Sequence, residues 1–182
     1  MANSSNLDTP QLRIRAWCRE DVLTVYTLLR EAAVIQGGEN DFCATPSTLF
    51  HDGFDSSPRI YCLIAESDGE IVGVLLYFFV YSTWTSRTSS YIEDLYVRPD
   101  HRRKGIARAL MSAAARVALD AGCRYVQWAV LQNNSPAREF YESLGAFALS
   151  EWALMRISGA ELEELSARGS EFSARCGFLG AE

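Results

Sequence analysis

A strand–helix–strand unit is the feature that most constrains the fold of this sequence. An apolar run at 91–97 leads into a basic loop with a glycine, then into an amphipathic helical pattern at 105–121 and a second strand-like run at 124–131. Two strands joined by a crossover helix lie parallel in one sheet, since a tight turn can join only antiparallel strands. The sequence therefore predicts a sheet with at least one parallel pair.

The residues before this unit predict antiparallel strands and two helices. The predicted elements are strands at 12–17, 61–65, 71–81 and 90–98, helices at 20–34 and 46–53, and a polar loop at 82–89. Asp68 and Gly69 lie between two apolar runs, a pattern typical of a tight hairpin. Three consecutive strands joined in this way predict an antiparallel meander.

The residues after the unit predict a helix, a strand and a last helix. Ser135 and Pro136 begin the first helix and Gly145 ends it, and the other two elements are expected at 147–157 and 161–168. The predicted fold class is α/β with a mixed sheet (α+β): an antiparallel meander, a βαβ crossover, and a final helix and strand. The domains expected are a polar extension at 1–10, a single domain at 11–168 and a polar tail at 169–182.

Composition narrows the class of protein. A net charge of −6 and a pI near 5.0 argue against nucleic-acid binding and suit a cationic substrate. The most apolar run, 71–80, is too short to span a bilayer, and residues 1–10 do not resemble a signal peptide. The five cysteines lack C-x-x-C spacing and only two histidines occur, so we expect reduced thiols, a cytoplasmic location and no metal site.

The loop between the parallel strands predicts an anion site. Arg102, Arg103 and Lys104 supply positive charge directly before Gly105. Gly105 lets the backbone approach a ligand closely, and the N–H groups at the start of the following helix, from Ile106 onward, face the anion. A pyrophosphate is the ligand that this arrangement favours over a merely solvated run of charges.

The loop and its flanks resemble the GCN5-related N-acetyltransferase (GNAT) superfamily. The superfamily pattern Gln/Arg-x-x-Gly-x-Gly/Ala is met by Arg102-x-x-Gly105-x-Ala107, between matching blocks at 94–99 and 134–146. Within the superfamily, the runs at 77–84 and 91–97 look like those of the spermidine/spermine (diamine) N-acetyltransferases. The resemblance covers roughly residues 11–165. It implies acetyl-CoA as co-substrate, direct transfer to a small-molecule primary amine, and a homodimer.

The resemblance also implies roles for individual residues. Glu93 is expected to act as the base and to bind the amine, Tyr141 to act as the acid at sulfur, and Asp94 to be structural on the face opposite Glu93. By strand alternation Glu93 should share a face with Tyr91 and Leu95. The residues expected to bind the cofactor are Leu95, Tyr96, Val97, Arg102, Arg103, Lys104, Gly105, Ile106, Ala107, Asn134 and Arg138. Asn134 could instead cap a helix.

The acceptor is where the chain departs from the polyamine pattern. Gln36 stands where those enzymes have an acid, and Glu151-Trp152 remains from a longer acidic segment. The residues expected to contact substrate are Glu93, Gln36, Trp84, Gln127, Trp128, Glu151 and Trp152. A smaller amine such as thialysine is then plausible beside a polyamine. The alternatives are acetylation of a peptide N-terminus, a protein lysine or an amino acid, and a CoA-binding regulatory module without catalysis.

Overall fold

The computed structural model describes residues 11–169 as a five-stranded mixed sheet with five α-helices. The strands are β1 (Leu12–Ala16), β2 (Tyr61–Ser67), β3 (Glu70–Ser82), β4 (Arg87–Val97) and β5 (Val126–Trp128). The helices are α1 (Val22–Ile35), α2 (Pro46–Phe54), α3 (Ile106–Asp120), α4 (Ser135–Glu142) and α5 (Gly159–Ala167). The mixed α/β class is confirmed and each predicted helix is present. The expectations for 1–10 and for the tail beyond Gly169 fall outside the described residues.

The sheet has the connectivity that the sequence predicts. Its strand order is β1-β2-β3-β4-β5, with antiparallel pairing from β1 to β4 and parallel pairing between β4 and β5. Because α3 connects the parallel pair, the expected βαβ unit is confirmed. Asp68 and Gly69 join β2 to β3 with φ of 53° and 83°, the left-handed values that a type I′ hairpin turn needs.

Helices pack on both faces of the sheet. On the face that we call the α1 face, α1 and α2 enclose a core that includes Leu28 and Leu76. On the opposite, α3 face, a Cβ built on Gly73 would meet Val97 Cγ2 at 3.3 Å and Leu110 Cδ1 of α3 at 3.4 Å. Gly73 thus lets α3 approach the sheet closely. Alternate residues of β4 therefore contact different helical layers.

The strand predicted at 147–157 is wrong. The backbone N–H of Trp152 donates to the carbonyl of Leu149 at 3.1 Å, which closes a turn in the middle of the run. The described structure assigns no strand to this run, and Phe147 and Leu154 are 81% and 79% exposed. Counting apolar residues along the run could not reveal that a turn interrupts it.

The bounds of β4 and β5 differ from the prediction in ways that concern the site. β4 begins at Arg87, so the loop predicted at 82–89 is shorter than expected. β5 covers only Val126–Trp128 within the run predicted at 124–131. The early end of β5 matters for function, because it determines where β4 loses its parallel neighbour.

The chain divides into two compact units between Phe140 and Tyr141. The first unit holds the sheet and helices α1 to α3, and α4 runs across the boundary. Within the described part of the chain, no helix is both long and apolar enough to cross a membrane. The four described cysteines, Cys18, Cys43, Cys62 and Cys123, are free thiols.

Gly53 of α2 has no room for a side chain. A Cβ at this position would lie 2.1 Å from Cζ2 of Trp17, which is buried in the core. Substitution Gly53→Ala should therefore destabilise the fold by about 2 kcal/mol, despite the better helix propensity of alanine. For a chain of this size, thermal unfolding should show a melting temperature lower by roughly 4–8 °C.

Gly38→Ala is the matched control for this substitution. The nearest atom to a Cβ at Gly38 is the carbonyl oxygen of Ala33 at 3.8 Å, an ordinary contact. This variant should melt within about 1 °C of the wild type. Equal melting temperatures for the two variants would contradict the tight packing of Gly53 on Trp17.

Candidate active site

β4 and β5 separate after only three paired positions. The parallel register runs from Ser90↔Val126 to Ile92↔Trp128 and ends there. β4 continues to Val97 and remains paired with β3 along its other edge. The edge of 93–97 that faces away from β3 therefore borders a gap, where backbone donors and acceptors have no β5 partner. A ligand with amide groups can pair with such an edge.

The loop after β4 has the shape of an anion cradle. Gly105 adopts a left-handed φ of 81°, and a Cβ there would meet nothing within 4 Å, so the space beside it is open. Gly105 is the N-cap of α3, and no side chain caps that helix. The N–H groups of Ile106 and Ala107 at its first turn remain available to an anion. The predicted loop residues thus lie together at the carboxyl end of β4.

Arg102 connects this loop to β4. Its Nε donates to the carbonyl of the last β4 residue at 2.9 Å, and its guanidinium carbon lies 5.8 Å from the centre of the Tyr96 ring. The Tyr96 hydroxyl in turn donates to Glu31 of α1 at 3.1 Å. Arg103, with φ of 61°, and Lys104 are exposed. One of the three cations is therefore fixed against the strand, and the other two project from the loop.

A β-bulge lies where β4 leaves β5. Asp94 pairs with Leu76 and Ile92 pairs with Tyr77, so Glu93 is an extra residue without a partner on β3. A bulge of this kind bends the strand and re-aims side chains, and bulges are frequent beside active sites. Glu93 is exposed at this point.

The bulge overturns the expected assignment of faces. Regular alternation predicts Tyr91 and Leu95 on one face and Asp94 on the other, and this is wrong. Tyr91 pairs with a residue of β3 on the α1 face, whereas Leu95 pairs with one on the α3 face. Asp94 pairs with Leu76 and so lies on the α1 face. One inserted residue has exchanged the faces of everything that follows it in β4.

Asp94 carries the most perturbed carboxyl group of this region. Burial, and then the nearby charge of Glu93, raise the pKa of Asp94 to about 6. A half-buried carboxyl with a displaced pKa is a candidate for function. The sequence analysis assigns Asp94 a structural role, and that role stays a prediction.

The residues predicted to contact substrate lie on several elements. Gln127 and Trp128 pair with Tyr91 and Ile92 at the last positions before the gap. Gln36 is the exposed C-cap of α1. Trp84, in the turn between β3 and β4, is 87% exposed. Of these four residues, Gln127 and Trp128 lie beside the point where the strands separate, as Glu93 does.

The start of α4 holds the two residues predicted for the far end of the cofactor. The Asn134 side-chain oxygen accepts a hydrogen bond from the backbone N–H of Ala137 at 3.2 Å, so Asn134 does cap the helix. Arg138 Nη1 donates to the carbonyl of Gln132 at 3.3 Å. Both side chains therefore stabilise the turn that leads into α4.

The remaining predicted residues belong to the second unit. Tyr141 lies near the end of α4, where burial raises the pKa of its phenol. Glu151 and Trp152 lie in the irregular segment between α4 and α5, and both are exposed.

The gap and the cradle together accept a long ligand with two kinds of groups. The strand edge at 93–97 suits amides, and the helix start with its cations suits phosphates, which is the composition of coenzyme A. In the described residues, no cluster of three or more acids, histidines or cysteines could hold a metal ion. The gap and the cradle together suit a coenzyme A thioester, the donor that acyltransferases use.

The family is identified by comparison with known proteins. The model of the acetyltransferase (GNAT) family matches residues 23–146. The chain belongs to this family and is an N-acetyltransferase, with acetyl-CoA implied as its co-substrate.

Individual relatives agree with this identification. The chain is 36% identical over 159 residues to thialysine N-epsilon-acetyltransferase of Sus scrofa, covering 81% of this chain and 93% of that protein. It is 29% identical over 156 residues to spermidine/spermine N(1)-acetyltransferase-like protein 1 of Homo sapiens, covering 80% of this chain and 22% of that protein. An integron cassette protein of V. cholerae has the same fold, with a TM-score of 0.73, 24% identity and coverage of 85% and 97%.

Proposed function

We propose that the protein transfers an acetyl group from acetyl-CoA directly to the primary amine of a small molecule, either a thialysine-like amino acid or a diamine. The observation that carries the donor half is the β4–β5 gap leading to the Gly105 cradle. The acceptor half is supported by the names of the relatives, which act on thialysine or are like spermidine/spermine enzymes.

The donor is held by backbone groups and cations. The open edge of Leu95, Tyr96 and Val97 pairs with the amides of the pantetheine arm. The cradle formed by 102–107 binds the pyrophosphate through N–H groups and positive charge. Asn134 and Arg138 contact the far end of the same ligand. When bound, acetyl-CoA supplies an activated acetyl group as a thioester.

Glu93 removes the proton that prevents attack. An alkyl amine has a pKa near that of lysine, about 10.4, so it arrives as an ammonium ion. Glu93 accepts a proton through water, and the freed nitrogen lone pair forms the new C–N bond to the acetyl carbon as the C–S bond breaks. The second proton lost by the nitrogen leaves to solvent. The exposed position of Glu93 on the bulge suits exchange of protons with water.

Tyr141 protonates the departing sulfur. The assignment rests on the resemblance of its helix to the family motif at 134–146. Because burial raises the pKa of Tyr141, its phenol remains protonated through the neutral range and can act as a donor. The phenol recovers its proton from solvent after each turnover.

A short acceptor suits this chain better than a long polycation. Gln36 is neutral where the polyamine enzymes have an acid, so one fewer charge is available to hold a distant ammonium group. Trp84, Trp128 and Trp152 supply apolar or cation–π contacts to the acceptor chain, and Gln127 and Glu151 supply polar ones. We also propose that the protein is a homodimer in the cytoplasm. Sedimentation at two protein concentrations would test whether it forms a dimer.

The direct test is an amine panel. Purified protein with acetyl-CoA and thialysine, lysine, putrescine, spermidine or a peptide is assayed by thiol release. Release with thialysine or a diamine supports the proposal. Thiol release with the peptide alone would favour peptide or protein acetylation. Binding of acetyl-CoA without thiol release for any amine would favour a CoA-binding module without catalysis.

Glu93→Gln tests the base. This substitution keeps the size of the side chain and removes the proton acceptor, so kcat should fall by roughly 100-fold or more at neutral pH. The acid limb of the pH–rate profile should change at the same time. Glu163→Gln, an exposed change on α5, should leave both unaffected. A normal profile for Glu93→Gln would remove Glu93 as the base.

A further inference from the structure

We infer that Glu31 of α1 is a positioning residue for the cofactor loop: it fixes the last residues of β4 and, through Tyr96, holds Arg102 in place for the pyrophosphate. The inference rests on the proposed function, in which the cradle at 102–107 binds acetyl-CoA. Glu31 lies far from the loop in the sequence, outside the motifs that flank it, so the sequence analysis assigned it no role.

The end of β4 lacks the support that a second neighbouring strand would give. The parallel register with β5 ends at Ile92↔Trp128, so residues 93–97 pair with β3 along one edge. The cofactor loop follows directly after this segment. A loop binds more tightly when its supporting residues are ordered before the ligand arrives. A contact from another element to this strand end should therefore favour cofactor binding.

Glu31 provides that contact. Its Oε2 accepts from the Tyr96 hydroxyl at 3.1 Å and from Arg98 Nε at 3.4 Å, and its Oε1 accepts from Arg98 Nη2 at 3.3 Å. Tyr96 and Arg98 flank Val97, the last residue of β4. Arg98 also forms an ion pair with Glu70 at the start of β3. The cluster of Glu31, Tyr96 and Arg98, which we call the Glu31 cluster, thus joins the end of β4 to α1.

The same segment holds Arg102. Arg102 Nε donates to the carbonyl of Val97 at 2.9 Å, and its guanidinium carbon lies 5.8 Å from the centre of the Tyr96 ring. The cation–π contact depends on the orientation of this ring, which the hydrogen bond to Glu31 restrains at the hydroxyl end. A guanidinium group carries five N–H donors, so Nε can contact the strand while the Nη groups bind phosphate oxygens.

The surroundings strengthen the Glu31 cluster. Tyr96 is buried, and burial followed by the hydrogen bond to Glu31 raises the pKa of its phenol, so the hydroxyl keeps the proton that it donates. The side chains of Arg98 and Glu31 are 25% and 35% exposed. Because the pair is partly shielded from water, its attraction is stronger than that of a fully exposed ion pair.

The test measures coenzyme A affinity by titration calorimetry in Glu31→Gln, Arg102→Gln and the double variant. Glu31→Gln keeps the size of the side chain and removes its charge, so affinity should fall at least about fivefold. Arg102→Gln should lose at least about tenfold, because a direct contact to phosphate is removed. Adding Glu31→Gln to Arg102→Gln should then change affinity by less than about twofold, because Glu31 acts through Arg102.

Glu66→Gln is the matched control. Glu66 accepts from Arg15 Nε at 3.1 Å, both side chains are 26% exposed, and the pair joins β1 to β2 on the side of the sheet away from β4. Both glutamine variants should lower the melting temperature slightly, but Glu66→Gln should keep coenzyme A affinity within about twofold. With thialysine as acceptor, Glu31→Gln should raise KM for acetyl-CoA and leave kcat and KM for the amine within about twofold.

The outcomes separate the inference from the proposed function. Normal coenzyme A affinity in Glu31→Gln, with weakened binding in Arg102→Gln, overturns the inference. Equal losses in Glu31→Gln and Glu66→Gln, or fully additive losses in the double variant, also overturn it. If Glu31→Gln folded poorly, Tyr96→Phe would remove the same hydrogen bond from the β4 side and should show the same pattern. Normal affinity in Arg102→Gln overturns the proposed pyrophosphate cradle instead.

Discussion

Replacing Gly105 with aspartate should weaken acetyl-CoA binding at least about 100-fold, equivalent to about 3 kcal/mol. A Cβ at Gly105 points into open space, so the fold tolerates the side chain, but the same space is needed by the pyrophosphate. The new carboxylate also places negative charge beside an anion at the start of α3. Titration calorimetry with coenzyme A measures the change directly.

Gly122→Asp controls for backbone strain. Gly122 follows the other end of α3 with φ of 74°, close to the 81° of Gly105, and a Cβ there also meets nothing within 4 Å. Aspartate is among the residues that visit this left-handed region, so the backbone cost should be similar at both glycines. Coenzyme A affinity should be normal in Gly122→Asp. Normal affinity in Gly105→Asp as well would show that the pyrophosphate binds elsewhere.

Replacing Tyr141 with phenylalanine should lower kcat by roughly 100- to 1,000-fold, the range typical of a lost general acid. The aromatic ring remains, so packing and coenzyme A affinity should be preserved. Single-turnover measurement of acetyl transfer separates this loss from slow product release.

Tyr26→Phe is the comparison for Tyr141→Phe. Tyr26 is a partly buried tyrosine of α1 that packs on Phe42 with 5.9 Å between ring centres, and it has no proposed role in the reaction. Loss of the Tyr26 hydroxyl should leave kcat within about twofold of the wild-type value. If Tyr141→Phe behaved like Tyr26→Phe, the acid at sulfur would have to be water or another side chain.

Local sequence patterns were sufficient to predict most of the fold. The Asp68-Gly69 hairpin, the crossover helix and the position of Gly105 each follow from rules that involve only a few neighbouring residues. These features alone place the glycine loop, the proposed pyrophosphate cradle, at the carboxyl end of a parallel strand. The proposed donor half of the site rests on them.

Features that depend on pairing between distant strands could not be predicted in the same way. The bulge at Glu93 is defined by the register of β4 against β3, and the sequence of β4 alone shows an unbroken run. The early end of β5 is likewise visible only in its register with β4. Both determine the geometry of the strand end where Glu93 lies, so the sequence alone could not predict that geometry.

The wrong prediction of a strand at 147–157 has a different cause. Its apolar residues match a strand pattern in number, but the turn from Leu149 to Trp152 breaks the extended run and changes which side chains share a face. Counting apolar residues over a short window does not detect such a break, because the two polar turn residues, Ser150 and Glu151, are too few to change the count.

The carboxyl groups of Asp21 and Asp94 impose opposite slopes on the stability of the protein with pH. Asp21, whose pKa falls from 3.8 to about 2, stabilises the fold above its unfolded pKa, and this contribution is lost as pH falls through 2. Asp94, whose pKa rises from 3.8 to about 6, stabilises the fold only when protonated, and this contribution is lost as pH rises through 6. As far as these two groups decide it, the fold is most stable in mild acid, where Asp21 is ionised and Asp94 is protonated.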